Sequence, residues 1–494
     1  MLVLEAKNIK KYYGDRLIVG FKELKIFTGD RIGIIGQNGS GKTTLMNILA
    51  DELQPDEGKV IHYCDFSYVR QFSEEGFDSD QWVLSEFGLS DKTAQEAFSG
   101  GERTRIKIAN ALSNDRPLLF ADEPTSNLDY KGISLLMQKL SELDTFVVIS
   151  HDRTLLDSLC TRIIEVRDGE LRFYNGNYSL YKEQSELEFD YAVSEYEKYI
   201  AEKTSLEAAI VDRRSRVKSM KKTPTRMGNS EARLHKRETT ERQQKVNQAV
   251  SSLSTRLEKL EPKERPKSVP EIKLDFSLTS PPENKIVISA DKLSFGYGNN
   301  MILSNAGFKV YNGTKTVLWG ENGAGKSTLL NLINGRETDE IRIVPRARLG
   351  YFYQGFENLD FDKTVLENVM AESVQSQTTV RTILARLLIA RDDVYKKVGC
   401  LSGGERIKVA FAKLFVSAAN ILLLDEPTNY LDMLSIEALE KVMQSYEGTI
   451  LFASHDSAFV EAVANRMLIV ENQAVTEFDG GLKEYGEYLL KNKK

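Results

Sequence analysis

Two octapeptides in this 494-residue chain have the composition to hold a phosphate chain. Gly36, Gln37, Asn38, Gly39, Ser40, Gly41, Lys42 and Thr43 form the first, with Thr44 next. Gly320, Glu321, Asn322, Gly323, Ala324, Gly325, Lys326 and Ser327 form the second, with Thr328 next. Each follows an apolar strand-like run (RIGIIG, TVLWG) and opens a helical one (TLMNILA, TLLNLIN), the context a P-loop requires. The glycines let successive backbone N–H groups curl round phosphates, and the helix N-terminus adds favourable potential. Lys42 and Lys326 are expected at the β- and γ-phosphates, and the Thr43 and Ser327 hydroxyls on Mg²⁺.

Two further apolar runs, LLFADE and ILLLDE, end in paired acids. Asp122 and Asp425 suit the Mg²⁺ shell, because a hard cation takes oxygen ligands. Glu123 and Glu426 suit polarising the attacking water. His151 and His455, two of only four histidines, follow β-like runs at matching positions and are expected at the γ-phosphate. Tyr13 and Tyr297 both lie 29 residues before a P-loop lysine, where a ring could stack on adenine or pack into a core. The chemistry implied is ATP hydrolysis at two sites.

The elements that position these groups come as a repeat. Four blocks recur in the same order: the P-loop segments, FSGGERTRIKIANAL with LSGGERIKVAFAKLF, LLFADEPTSNLD with LLLDEPTNYLD, and VVISHD with LFASHD. Ser99 to Asp122 and Ser402 to Asp425 are both 23 residues. Only the interval before the SGGER block disagrees, at 28 residues from Gln71 to Ser99 against 48 from Gln354 to Ser402. The chain therefore reads as an α/β protein of two tandem P-loop ATPase domains, residues 1–184 and 271–494, with residues 185–270 between them.

That intervening stretch is helical by spacing. Phe189, Val193, Tyr196, Ile200, Leu206, Ile210 and Val217 step along one arm, predicted from about Leu187 to Ser219. Val246, Val250, Leu253, Leu257 and Leu260 make a coiled-coil seam on a second. Pro224 and Gly228 sit where the chain must reverse, and Pro262, Pro266 and Pro270 stop the second helix. A long antiparallel α-helical hairpin with its tip at about 219–230 is the simplest reading, against one solvated helix or a disordered linker. Residues 211–246 hold twelve Lys/Arg against four acids, +8 locally in a chain of net charge −6. Such segregation suits a polyanion, because phosphate neutralisation by Lys and Arg supplies affinity.

Composition narrows the classes. Three cysteines (Cys64, Cys160, Cys400) in no paired spacing argue against a disulfide framework or zinc site and suit a reducing cytosol. No window carries the ~18 apolar residues of a membrane helix, so a cytoplasmic protein without a membrane partner is expected.

The blocks together resemble the ATP-binding cassette ATPases: P-loops, Q-loop Gln71 and Gln354, SGGER signatures, Walker B acids, D-loops SNLD and NYLD, and switch histidines. That resemblance implies head-to-tail cassettes. Site one then joins Gly36–Thr43, Asp122, Glu123 and His151 to Ser402, Gly403 and Gly404. Site two joins Gly320–Ser327, Asp425, Glu426 and His455 to Ser99, Gly100 and Gly101. Gln71 and Gln354 join the Mg²⁺ ligands by the same carry-over. Two cassettes joined by a helical linker look like the ABC-F translation proteins, and the tip and arms like their Vga-like antibiotic-resistance group.

This resemblance implies binding at the ribosomal exit site, the linker tip directed at the peptidyl-transferase centre beside large-subunit rRNA and the P-site tRNA. Protection against pleuromutilin, lincosamide and streptogramin A drugs follows. The RNA-facing residues would be Arg213, Arg214, Arg216, Lys218, Lys221, Lys222, Arg226, Arg233, His235, Lys236 and Arg237, with Met227 nearest the drug site. A monomer with intramolecular cassette pairing is expected. A housekeeping ABC-F factor that relieves stalled ribosomes is the alternative, and a transporter ATPase subunit a more distant one.

Overall fold

The computed structural model describes residues 1–70, 100–113, 116–219, 229–263, 275–298, 300–335, 338–353, 358–389 and 392–492. Gln71, Ser99, Gln354, Lys221, Lys222, Arg226 and Met227, and with them the expected turn at Pro224 and Gly228, lie outside these. The side chains of Lys218, Arg233, His235, Lys236 and Arg237 lie outside them too.

Each cassette is built round a six-stranded sheet with the P-loop strand at its centre. In the first cassette, β3 (Arg31–Ile35) lies parallel between β7 (Phe146–Ile149) and β8 (Arg162–Arg167). β6 (Leu118–Asp122) and β5 (Phe66–Val69) extend one side, and antiparallel β9 (Glu170–Asn175) closes the other. The second cassette repeats the order with β14 (Leu349–Phe352), β15 (Ile421–Asp425), β16 (Thr449–Ala453), β12 (Lys315–Trp319), β17 (Arg466–Glu471) and β18 (Ala474–Phe478). These strands are aliphatic without alternation because a parallel sheet is buried on both faces; all five residues of β6 and all five of β16 are buried.

A smaller antiparallel sheet of β1 (Leu2–Tyr13), β2 (Arg16–Phe27) and β4 (Glu57–His62) completes the first cassette. β10 (Ile286–Tyr297), β11 (Asn300–Tyr311) and β13 (Ile341–Ile343) repeat it in the second.

The two cassettes fall in one compact unit, Met1–Tyr181 with Val269–Lys494, and Lys182–Ser268 forms another. The latter consists of two helical arms, parts of the helices Tyr178–Ser219 and Asn229–Glu258. They run antiparallel: Glu195 pairs with Lys263, Arg256 lies 2.7 Å from Glu202, and Arg213 donates to the Ala249 carbonyl at 3.5 Å. Leu206 and Ile210 are buried along the arm, and the second-helix seam residues are half-buried. Phe189 and Ile200, expected on the seam, are instead exposed. The register carries Phe189 past the second helix and sets Ile200 opposite its last residue.

The first helix also starts earlier than the spacing predicts, at Tyr178 rather than about Leu187. Asn177 accepts the Leu180 N–H at 3.2 Å, and Tyr178 and Tyr181 are buried in the first cassette's core. Those rings hide the start of the helix from a search for charged, solvated periodicity.

Candidate composite ATPase sites

Each P-loop joins its central strand to a helix, Lys42–Leu49 or Lys326–Gly335. Gly41 (φ 103°) and Gly325 (φ 104°) precede these helices in the left-handed region, where a side chain would be strained. The lysines are buried and turned onto their own loops: Lys42 Nζ donates to the Gly36 and Gln37 carbonyls at 2.8 and 3.0 Å. Lys326 Nζ reaches the Gly320 and Glu321 carbonyls at 2.9 and 2.8 Å. Burial pushes both ammonium pKa values down, against the pull of the Walker B acids.

β6 and β15 deliver those acids. Both carboxylate oxygens of Asp122 are buried, and burial raises its pKa against the opposing pull of the Thr43 hydroxyl and Lys42. Asp425 is raised in the same way beside Ser327 and Lys326. A buried carboxylate beside a hydroxyl is an oxygen ligand set that fits a hard divalent cation.

Glu123 and Glu426 follow in the left-handed region, at φ 50° and 46°. Non-glycine residues held there are strained, and such strain concentrates at functional sites. His151 Nε2 stands 3.0 Å from Glu123 Oε1, and His455 Nε2 stands 3.3 Å from Glu426 Oε1. Burial lifts Glu123 to about 8 and Glu426 to about 7, and drops His151 to about 3 and His455 to about 4. Burial thus disfavours the charged form of both members of each pair.

The cassettes meet head to tail, through their D-loops. The Asn38 N–H donates to Asp432 at 2.9 Å, and its side-chain amide to the Tyr430 carbonyl at 3.0 Å. Reciprocally, the Asn322 N–H donates to Asp129 at 3.2 Å and its amide to the Asn127 carbonyl at 3.0 Å. Asn127 and Tyr430 are themselves left-handed.

The signature turns lie against the same asparagines. A Cβ on Gly101 would come within 3.3 Å of Asn322 Nδ2, and one on Gly404 within 3.3 Å of Asn38 Nδ2. Gly403 opens its helix, with Ser402 as cap: the Ser402 hydroxyl donates to Glu405 at 2.7 Å. Gly100 begins the matching helix in the first cassette. Arg105, on that helix, holds Asp129 at 2.8 Å, so signature, D-loop and opposing P-loop form one chain of contacts.

A cavity of about 1090 Å³ runs along this interface, lined by Tyr13, Lys42, Asp122, Glu123 and His151 and by Tyr430, Glu426 and His455. Tyr13 and Tyr297 are exposed rather than packed in a core, so their rings remain available to a base.

Spacing missed the apolar exchange beside the D-loops. Tyr130, next to Asp129, lies 5.4 Å from the Trp319 ring at the end of β12. Met433, next to Asp432, is buried in the first cassette's core with Ile35 at the end of β3. Matching positions in the repeat were the available signal, since each apolar residue follows a D-loop aspartate.

A family model described as "ABC transporter" matches residues 22–126 and 303–429. The chain is 30% identical to "Ribosome protection protein VmlR" of Bacillus subtilis (strain 168), over 96% of this chain and 87% of that one. It is 33% identical to "Erythromycin resistance ATP-binding protein MsrA" of Staphylococcus epidermidis, over 96% and 98%. "ABC transporter F family member 5" of Arabidopsis thaliana is 30% identical over 99% of this chain and 77% of its own. Among solved structures, "RNase-L Inhibitor" superposes with a TM-score of 0.65 at 20% identity, over 98% of this chain and 93% of that one; it shares the fold. No helix among the described residues is long and apolar enough to cross a membrane.

Proposed function

Because the chain belongs to the ABC-F family of ATP-binding cassette ATPases, we propose that it is a cytoplasmic ribosome-protection factor whose linker acts at the peptidyl-transferase centre and counters bound antibiotics. The chain is an ATPase. The observation that carries the ribosomal reading is full-length similarity to two relatives named for ribosome protection and for erythromycin resistance. The basic arm supports it: Arg213, Arg214 and Arg216 lie on the helix leading to residues 220–228, and cationic side chains there suit rRNA or tRNA phosphates.

In the two sites, Lys42 and Lys326 leave their own loop carbonyls to meet β- and γ-phosphate oxygens. Asp122 with Thr43 and Asp425 with Ser327 would hold Mg²⁺, with Gln71 and Gln354 as the further expected ligands, and the ion would supply neutralisation of charge on the phosphoryl oxygens. Glu123 and Glu426 orient and polarise the attacking water, and His151 and His455 keep those carboxyls in place. Gly100 and Gly101, with Ser402 to Gly404, would present N–H and hydroxyl donors to the γ-phosphate across the interface, and Ser99 is expected to join them. Tyr13 and Tyr297 stack on adenine. The closed pair carries the linker to its target, and hydrolysis releases it.

Expression in a susceptible host tests this. Resistance to at least one of erythromycin, a pleuromutilin, a lincosamide or streptogramin A is expected, and it should change when residues 219–230 are exchanged for those of an unrelated ABC-F protein. Unaltered susceptibility to all four, with ribosome binding retained, would favour the housekeeping reading.

A further inference from the structure

Beyond their shared D-loop contacts, the two sites are not equivalent. The Arg153 guanidinium grips Glu440 with both prongs, at 3.2 and 2.7 Å, across the cassette interface. Both groups are largely buried, with side-chain exposures of 16% and 9%. Tyr178 donates its hydroxyl to Glu437, one turn earlier on the same helix, at 2.9 Å. The repeat gives these positions no counterparts in site two. Ser457 stands where Arg153 would be, Leu482 where Tyr178 would be, and Ser134 and Met137 where Glu437 and Glu440 would be.

By chain connection both ends of this contact lead to site one, although the Asp456 carboxyl, next to His455 of site two, also lies near Arg153 and Glu440. Arg153 directly follows His151 and Asp152, and Asp152 caps the helix that Arg153 begins. Glu437 and Glu440 lie on the helix Met433–Ser445, capped by Asp432, the residue that holds the Asn38 N–H. A two-pronged guanidinium–carboxylate pair out of water fixes geometry as well as distance. Separating the His151 segment of the first cassette from the Asp432 helix of the second must break this pair.

We propose that Arg153 and Glu440, seconded by Tyr178 and Glu437, are positioning residues that form a latch on site one, so that this site closes more firmly and releases nucleotide more slowly than site two. The proposal rests on the composite-site reading with Glu123 and Glu426 as the hydrolytic carboxylates. Tyr178 is also the first residue of the long linker helix, so the latch ties the root of that helix to the second cassette.

The test gives site one the residues of site two, Arg153→Ser with Glu440→Met. In a chain carrying Glu426→Gln only site one hydrolyses; in one carrying Glu123→Gln only site two does. The swap should lower kcat about tenfold and raise KM for ATP in the first background, the factor for one lost interaction of about 1.4 kcal/mol. It should leave the second within about twofold, well inside that tenfold. Arg153→Lys, which keeps the charge and loses the fork, should fall between, again at site one alone. Equal losses in both backgrounds, or none at site one, would overturn the latch.

Release of a fluorescent ATP analogue from the Glu123→Gln/Glu426→Gln chain needs no hydrolysis. Two phases are expected, only the slower accelerated by the swap. A single phase untouched by it would also refute the proposal. Failure of Glu123→Gln and Glu426→Gln to impair turnover with the latch intact would instead indict the assignment of the carboxylates.

Discussion

Asp432 accepts the Asn38 N–H at 2.9 Å from the opposite cassette, and the same carboxylate caps its own helix through the Ser435 N–H at 2.9 Å. One side chain therefore joins the start of a helix in the second cassette to the phosphate loop of the first. Asp129 does the same for Asn322 and Gly132. Asp432 also accepts from the Ser435 hydroxyl and Asp129 from Arg105, so removing either acceptor takes a partner from three donors, at about 1–3 kcal/mol for each one left buried. Asp432→Ala and Asp129→Ala should each lower kcat at least about tenfold, the factor for 1.4 kcal/mol, with nucleotide binding retained; steady-state ATPase assays and equilibrium binding check this.

Replacing Glu123 and Glu426 together with Gln should retain ATP binding and reduce turnover by about 10²–10⁴, the share general-base assistance supplies. Phosphate release under saturating ATP measures it. Ribosome co-sedimentation of this variant should become ATP-dependent and persistent.

The same carboxyls set a pH dependence of stability. Glu123 and Glu426 hold protons up to about 8 and about 7 in the fold against an ordinary 4.5, so the folded state binds more protons and stability falls as pH rises through that window. His151 and His455, depressed to about 3 and about 4 from 6.5, work oppositely, stability rising with pH up to about 6.5. Above 6.5 the carboxyl contribution stands alone. Nucleotide-free protein should lose thermal stability between pH 6.5 and 8, and Glu123→Gln/Glu426→Gln should flatten that loss; Tm against pH decides.

Met433→Ala should cost about 2–5 kcal/mol, as for other buried methionines. Because Met433 is covalently in the second cassette and packed in the first, thermal melting should also lose cooperativity and resolve into two transitions. Calorimetry of the variant against the parent distinguishes this from simple destabilisation.

Tyr13→Ala should raise KM for ATP by about 5–150-fold, since a stacked base is worth about 1–3 kcal/mol. Little change in kcat is expected, because an exposed ring that stacks on the base makes no contact with the reacting phosphate.

The local chemistry was legible in the residues themselves. A P-loop is defined by glycines, a lysine and a hydroxyl at fixed short spacing, and an apolar strand ending in two acids sets Asp122 and Glu123 side by side. Repetition made both candidate sets readable, and period-3.5 apolar spacing made the helical arms readable. These patterns are short-range, so sequence order carries them. The seam failed at Phe189 and Ile200, where burial depends on how far the partner helix extends.

Sequence alone thus determined which groups could bind phosphate, hold a cation and activate water, and that there would be two sets. Only the tertiary structure decided what crosses between the sets. Asn38 reaches Asp432 over 394 residues and Arg153 reaches Glu440 over 287, separations at which no periodicity survives. It also decided the protonation of Glu123 and His151, because a pKa follows burial and neighbours rather than residue type.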